Sequence, residues 1–214
     1  MPTSDEMTVR ATEVRRVHDR YFVEFVEAFE LCPWARSARV RGELAFEILW
    51  GTPTDEDWFA ASRRAYSQPG MRVAMVVAPE LVIDTIAFHN LRNRVTDLLG
   101  DAGVAEFLPD APLDLVSAAR LVPYLRRSPD PLLQIVPIAL LESVRAKPTV
   151  VDRATQAMIL EGQYVAPRGD VADQIADANH RRISRDRVAA AAVLDAIRAD
   201  RDASYARVGI SSSR

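Results

Sequence analysis

The sequence predicts an α/β fold: a single domain with a roughly four-stranded sheet, mostly parallel or mixed, packed by helices and followed by a C-terminal helical arm. Strand composition occurs at 44–50 and again at 71–78, where nearly every residue is apolar, as in a strand covered on both faces. Strand and helix patterns then alternate as far as residue 146, which indicates crossover connections. From residue 170 the chain is rich in Ala, Arg and Asp with amphipathic spacing, which predicts the arm.

Composition limits the classes of function. The 214 residues, 49% of them hydrophobic, are enough for one full core. A net charge of -3 argues against a nucleic-acid partner. The polar N-terminus and the lack of an apolar stretch near 20 residues argue against a signal peptide or a membrane span, so we expect a cytoplasmic protein. A single cysteine allows no internal disulfide.

The first predicted helix extends from Met7 to Leu31. Its apolar stripe recurs at helical spacing and includes Val14, Val17, Tyr21, Phe25 and Phe29. Because proline disfavours helix at the residue before it, we expect the helix to stop near Cys32. The negative end of the helix dipole would then raise the pKa of the thiol, an effect that only a neighbouring arginine such as Arg36 could reverse.

The other predicted elements follow from apolar runs and turn residues. Further strands are predicted at 104–108 and 132–136. Helices are predicted from a Thr54 cap to Ser67, from Pro79 to Gly100, and over 115–122, 139–146 and 150–160. We take 1–165 as the α/β core and 166–214 as the arm, with a disordered tail over 211–214. Such an arm docks on its own core or on a second copy, as in a homo-oligomer.

Cys32 lies in the run Leu-Cys-Pro-Trp-Ala-Arg and allows three interpretations. A free cysteine is commonly a small apolar residue that packs in the core. It could instead be a thiol nucleophile, or the thiolate ligand of a haem. The sequence alone leaves all three open.

Two loop fragments are candidates for ligand binding, because they follow strands where α/β sheets place their sites. Asp110 follows the third strand and could act as a base. Arg127 could bind a carboxylate or phosphate, and Ser128 could donate a hydrogen bond. The alternative is a structural ion pair between Asp110 and Arg127 that braces a proline-rich loop.

The three histidines are scattered along the chain. His18 falls on the apolar stripe of the first helix and is expected in the core, whereas His89 is a candidate binding residue on the long helix. Their spacing predicts no zinc site, and the chain has no glycine-rich phosphate loop. The arginines at 181, 182, 185 and 187 are diluted by aspartates and are expected on a solvated helix face.

Three fragments together resemble a bacterial family known as domain of unknown function 1415. Members carry Leu-Cys-Pro-Phe/Trp-Ala, matched at 31–35; Phe-His-Pro-Asp, which reads Phe-Leu-Pro-Asp at 107–110; and Asn-Arg-Ser-Pro-Tyr-Pro, which reads Arg-Arg-Ser-Pro-Asp-Pro at 126–131. Leu108 thus replaces the family's histidine, and Asp130 its tyrosine. The resemblance covers about 15 to 160, leaves out the arm, and implies a site without implying a reaction.

These observations predict a small enzyme that acts on an anionic metabolite. Its pocket would contain Cys32 and Asp110 as catalytic residues, with Arg127 and Ser128 binding substrate. Arg36 and His89 are further substrate-binding candidates. The alternatives are a non-catalytic binding or assembly module that uses the helical arm, and a haem protein that uses the thiolate; we predict no metal site.

Overall fold

A computed structural model describes residues 2–32, 34–145 and 171–211. Seven helices are found in these ranges: α1 (Ser4–Arg20), α2 (Ala35–Val40), α3 (Asp55–Tyr66), α4 (Thr85–Leu99), α5 (Ala118–Leu125), α6 (Ile138–Arg145) and α7 (Val171–Val208). The strands are β1 (Leu44–Ile48), β2 (Val73–Val77), β3 (Ala102–Phe107) and β4 (Leu132–Pro137). A π-helical segment, Tyr21–Glu27, continues α1. None of the described helices is long and apolar enough to cross a membrane.

The four strands form one mixed sheet in the order β1-β2-β4-β3, which confirms the predicted α/β class. β1 and β2 are parallel, and β4 is antiparallel to both of its neighbours. The last strand in sequence therefore fills the place between β2 and β3. This arrangement brings the loop after β3 and the loop before β4 to the same edge of the sheet, because β3 ends where β4 begins, with Phe107 paired to Leu132.

One face of the sheet is covered by α3 and α4. Its buried apolar side chains include Trp58, Ala74, Val76, Phe88, Leu91 and Val95. α3 begins as predicted, with a capping box in which the Thr54 hydroxyl accepts the Asp57 amide. α4 begins at Thr85 rather than at Pro79, because the Asp84 carboxylate caps it by accepting the Ala87 amide at 2.8 Å.

The other face is covered by α1, the π-helical segment, α5 and α7. Buried side chains in this cluster include Val14, Tyr21, Phe25, Leu121, Tyr124, Ile183, Leu194, Ile197 and Tyr205. α7 is antiparallel to α1: Arg10 donates to Gly209 O, Arg16 and Arg20 pair with Asp200, and Arg182 pairs with Glu30. The predicted arm is therefore docked on its own core and completes it.

The first helix differs from the prediction at both ends. It begins at Ser4 because Thr3 and Glu6 form a capping box. Its helical course ends at Glu27, and the chain turns at Glu30, which has a left-handed φ of 47°. Arg182 and Asn179 of α7 hold this turn through the carbonyls of Glu30 and Leu31.

Most of the remaining predicted helices and strands lie within the described residues, and the others lie outside them. The strands predicted at 104–108 and 132–136 are confirmed, as are the short helices near 115–122 and 139–146, each with shifted ends. The helix predicted at 150–160 lies outside the described residues, and so does the tail from 212. Ser211 is described, and its amide donates to Glu80 at 3.2 Å.

Candidate functional site

A small cleft, here called the Arg127 cleft, lies where the loops flanking β3 and β4 meet α7. Its walls are Tyr21, Pro109, Arg127, Ser128, Pro129, Leu194, Ile197 and Arg198. Its volume of about 20 Å³ holds a single water molecule. Two of the predicted fragments meet here because the Leu108 amide donates to the Arg126 carbonyl at 3.2 Å.

Arg127 is positioned by the end of α5. Its amide donates to Tyr124 O, and its guanidinium lies 5.5 Å from the centre of the Tyr124 ring. Arg127 Nε donates to the Pro109 carbonyl at 3.3 Å. Within the described ranges no carboxylate lies within ion-pairing distance of this half-buried guanidinium. Arg127 is therefore a cation in the cleft wall, and the partners that its guanidinium has among the described residues, the Pro109 carbonyl and the Tyr124 ring, are neutral.

Asp110 does not pair with Arg127, so the predicted brace between them is wrong. Its Oδ1 instead accepts from Arg198 Nη2 of α7 at 2.6 Å, and the same nitrogen donates to the Pro109 carbonyl at 2.6 Å. The Asp110 side chain is 83% exposed. Two guanidinium groups and one carboxylate thus surround the cleft, which leaves it with an excess positive charge.

Ser128 is nearly buried, and its hydroxyl donates to the Asp130 carbonyl. A hydroxyl has a single proton, so Ser128 is not available as the donor to a ligand that the sequence suggests. Its role is to fix the loop before β4.

Behind this loop lies a fully buried polar cluster centred on Asp130. The Asp130 carboxylate accepts from Arg201 Nε at 2.7 Å and from the Tyr205 hydroxyl at 2.6 Å. Burial raises the pKa of Tyr205, so its hydroxyl stays protonated and donates. Arg201 also donates to the Pro79 carbonyl at 3.0 Å. The family that the sequence resembles has a tyrosine at the position of Asp130. Here the Asp130 carboxylate is bound by Arg201 and Tyr205 of α7.

His18 completes this cluster and lies in the core as predicted. Its Nδ1 must donate to the Val14 carbonyl, 2.9 Å away, because a carbonyl only accepts. Its Nε2 lies 3.8 Å from Asp130 Oδ2 and has no hydrogen-bond partner among the described residues. Burial lowers the pKa of His18, an effect that Asp130 opposes, and the ring is neutral.

Cys32 lies outside the Arg127 cleft. It is not among the residues that line the cleft. The neighbouring Leu31 carbonyl accepts from Asn179, on the part of α7 before its kink at Asp186, whereas the cleft residues Leu194 and Ile197 lie after it. The expectation that Cys32 closes a helix is also wrong, because it lies between the Glu30 turn and the start of α2. Burial raises the pKa of the thiol, and the amides of Trp34 and Ala35 offset this only in part.

The other two candidate residues lie elsewhere. Arg36 is exposed on α2, beside Cys32. His89 belongs to α4, on the opposite face of the sheet, where its ring lies 3.1 Å from Glu106 Oε1. Arg92 donates to the other oxygen of Glu106 at 2.9 Å. Neither residue lines the cleft.

Sequence reasoning missed Arg198 and Arg201. Arg198, Arg201 and Tyr205 lie three and four residues apart, so one face of α7 carries them all. This spacing, next to the apolar Ile197, could have indicated arginines that face the core. Among the arginines of the arm, only those at 181, 182, 185 and 187 were part of the prediction. Of that group, Arg182 pairs with Glu30, and Arg185 with Asp186.

No family model, curated protein or solved structure matches this chain. Membership of the domain of unknown function 1415 family stays a prediction. Within residues 2–32, 34–145 and 171–211, no three His, Cys, Asp or Glu side chains are grouped so as to hold a metal ion.

Proposed function

We propose that this protein is a small enzyme that binds an anionic metabolite at the Arg127 cleft. The observation that carries the proposal is the Arg127 guanidinium, half-buried in a cleft wall without a carboxylate partner in the described ranges. A cation in such a place favours an anionic ligand, because guanidinium donors match carboxylate and phosphate oxygens. The guanidinium of Arg127 lies over the Tyr124 ring, and this contact orients its N–H donors.

Each cleft residue has a role in this proposal. Arg127 binds the anionic group, and Arg198, which donates to the same Pro109 carbonyl, adds a second cation. Asp110 is the carboxylate at the rim and is the candidate proton acceptor. Ser128 holds the loop in place. Cys32 takes no part in the reaction, which replaces its predicted catalytic role.

The two alternatives have less support. An assembly module would need the apolar stripe of α7, and that stripe is buried against the chain's own core at Ile183, Ala190, Leu194 and Ile197. A haem thiolate would lie at Cys32, which does not line the Arg127 cleft.

The proposal is tested by titrating the protein with inorganic phosphate and with citrate while NMR spectra follow the arginine Nε–H signals. We expect saturable shifts in the wild-type protein and at least tenfold weaker binding in Arg127→Ala. The loss of one charge-assisted hydrogen bond, worth about 1.5 kcal/mol, accounts for that factor.

Arg94→Ala is the matched control, rather than a variant of Arg120, which itself holds the loop after β3 through Asp114. Arg94 lies on α4, on the other face of the sheet, is 47% exposed and pairs with Asp55. Both variants remove one positive charge, so a general charge effect would weaken them equally. Equal affinities for wild type and Arg127→Ala would remove Arg127 from the site.

A further inference from the structure

One wall of the Arg127 cleft is formed by the loop after β3. Unlike the walls that belong to the core, this loop is held mainly by a few hydrogen bonds and ion pairs. This wall, here called the strap, comprises residues 109–114. It is tied at one end by the Leu108 amide on Arg126 O and at the other by His180 Nε2 on Leu115 O at 2.9 Å. Between these ties, Asp114 pairs with Arg120 of α5, and Arg127 and Arg198 donate to Pro109 and Asp110.

The strap therefore uses the donors that an anion would need. The Pro109 carbonyl receives one bond from each guanidinium, and the Asp110 carboxylate receives a second bond from Arg198. An oxyanion entering the cleft would compete with these oxygens for the same nitrogens. The strap is in this sense an intramolecular ligand.

The cleft must also enlarge, since its volume of about 20 Å³ excludes any metabolite. The walls formed by Tyr21, Leu194 and Ile197 belong to the buried core, and Ser128 is fixed by its hydrogen bond to the Asp130 carbonyl. In the strap, Asp110 is 83% exposed and Leu113 is 38% exposed. Exposed ion pairs are weak, so the strap is the wall that costs least to move.

We propose that the strap is an autoinhibitory flap, whose Asp110 carboxylate and Pro109 carbonyl occupy Arg198 and Arg127 until an anionic ligand displaces them and opens the cleft. This inference rests on the proposed function and adds the regulation of the same site. A site that is open in only a fraction of molecules binds with an affinity reduced by that fraction. Weakening the strap's hold therefore raises the affinity.

The test compares phosphate binding, by the same NMR titration, in Asp110→Asn and in the matched variant Asp55→Asn. Both remove one negative charge and one exposed ion pair, but Asp55 pairs with Arg94 on the other face of the sheet. We expect Asp110→Asn to bind phosphate roughly two- to fivefold more tightly than Asp55→Asn, the factor that an exposed ion pair is worth. Asp55→Asn should bind like the wild type.

A second measurement follows the strap directly. A nitroxide spin label on Leu113→Cys, in a Cys32→Ser background, should become more mobile when phosphate is added, and should be mobile without phosphate in Asp110→Asn. The flap is overturned if saturating phosphate leaves the mobility of the label unchanged, or if Asp110→Asn binds phosphate no more tightly than Asp55→Asn. Arg127-dependent binding would still support the proposed function in either case. The absence of phosphate binding in every variant would instead refute the proposed function, and the flap with it.

Discussion

Two carboxylates, Asp110 and Asp130, each pair with an arginine on the same stretch of α7, yet they differ in every other respect. The Asp110–Arg198 pair is at the surface, with the carboxylate 83% exposed. The Asp130–Arg201 pair is buried, with the carboxylate fully inaccessible and joined by Tyr205. The first pair belongs to the wall of a cleft, and the second to the core behind it.

The difference shows that the surroundings of an ion pair decide what it does for the fold. An exposed pair gains little, because water and salt screen it and its side chains lose freedom. A buried charge is costly to leave without its partner, so a satisfied buried pair cannot be broken cheaply. Asp130 therefore anchors α7 to the core, whereas the exposed pair of Asp110 holds its loop only weakly.

The largest effect is expected for Asp130→Ala. Removing this carboxylate takes from Arg201 its buried acidic partner, while Asp202 stays paired with it at 2.9 Å. It also takes away the acceptor of the Tyr205 hydroxyl, so the free energy of unfolding should fall by about 3–5 kcal/mol. Urea denaturation measures the change, with Asp130→Asn as a milder variant where the alanine variant does not fold. A loss below about 1 kcal/mol would contradict the view that the buried pair is the stronger one.

His18 should make the same cluster sensitive to acid. Burial lowers its pKa in the folded protein, so the unfolded chain binds the proton more readily. Stability present above pH about 6.5 is then lost as the pH falls towards the folded pKa, by at most about 1.4 kcal/mol per pH unit.

Urea denaturation between pH 7 and 5 measures this slope. His18→Phe, which places an apolar ring beside Phe22 and Phe46, should remove most of it. His89→Asn is the control and should keep it, since His89 is half exposed. An unchanged slope in His18→Phe would show that another group is responsible.

The smallest effect is expected for Asp110→Ala. Because its pair with Arg198 is exposed, the free energy of unfolding should change by less than about 1 kcal/mol, and less still in high salt. The same urea measurement checks this. A loss as large as that of Asp130→Ala would make the strap a structural clamp and remove the contrast between the two pairs.

Much of the fold follows from local pattern. The apolar run of β2 and the Thr54 cap of α3 were predicted because each depends on neighbours in sequence. The start of α4 was not, since both Pro79 and Asp84 are good start signals and only the structure shows which caps the helix. The place of β4 between β2 and β3 is set by packing, which no local pattern encodes.

The candidate site was predicted in part for the same reason. Pro109 and Arg127 were both predicted to lie on loops beside strands, and they meet because those strands, β3 and β4, are neighbours in the sheet. The partner of Asp110 was not predicted, because Arg198 is 88 residues away in a helix assigned to the arm. Cys32 was misplaced because the turn at Glu30 is held by Arg182 and Asn179, about 150 residues further along the chain.

The antiparallel pairing of α1 with α7 has a consequence for biosynthesis. A ribosome adds about 5–20 residues per second, so the apolar stripe of α1 emerges roughly 10–40 seconds before the helix that covers it. During that interval Val14, Tyr21 and Phe25 lack their final cover, and the nascent chain presents a binding surface to chaperones. Pairing of such distant segments also slows the last step of folding. The core can thus close only after α7 has been synthesised.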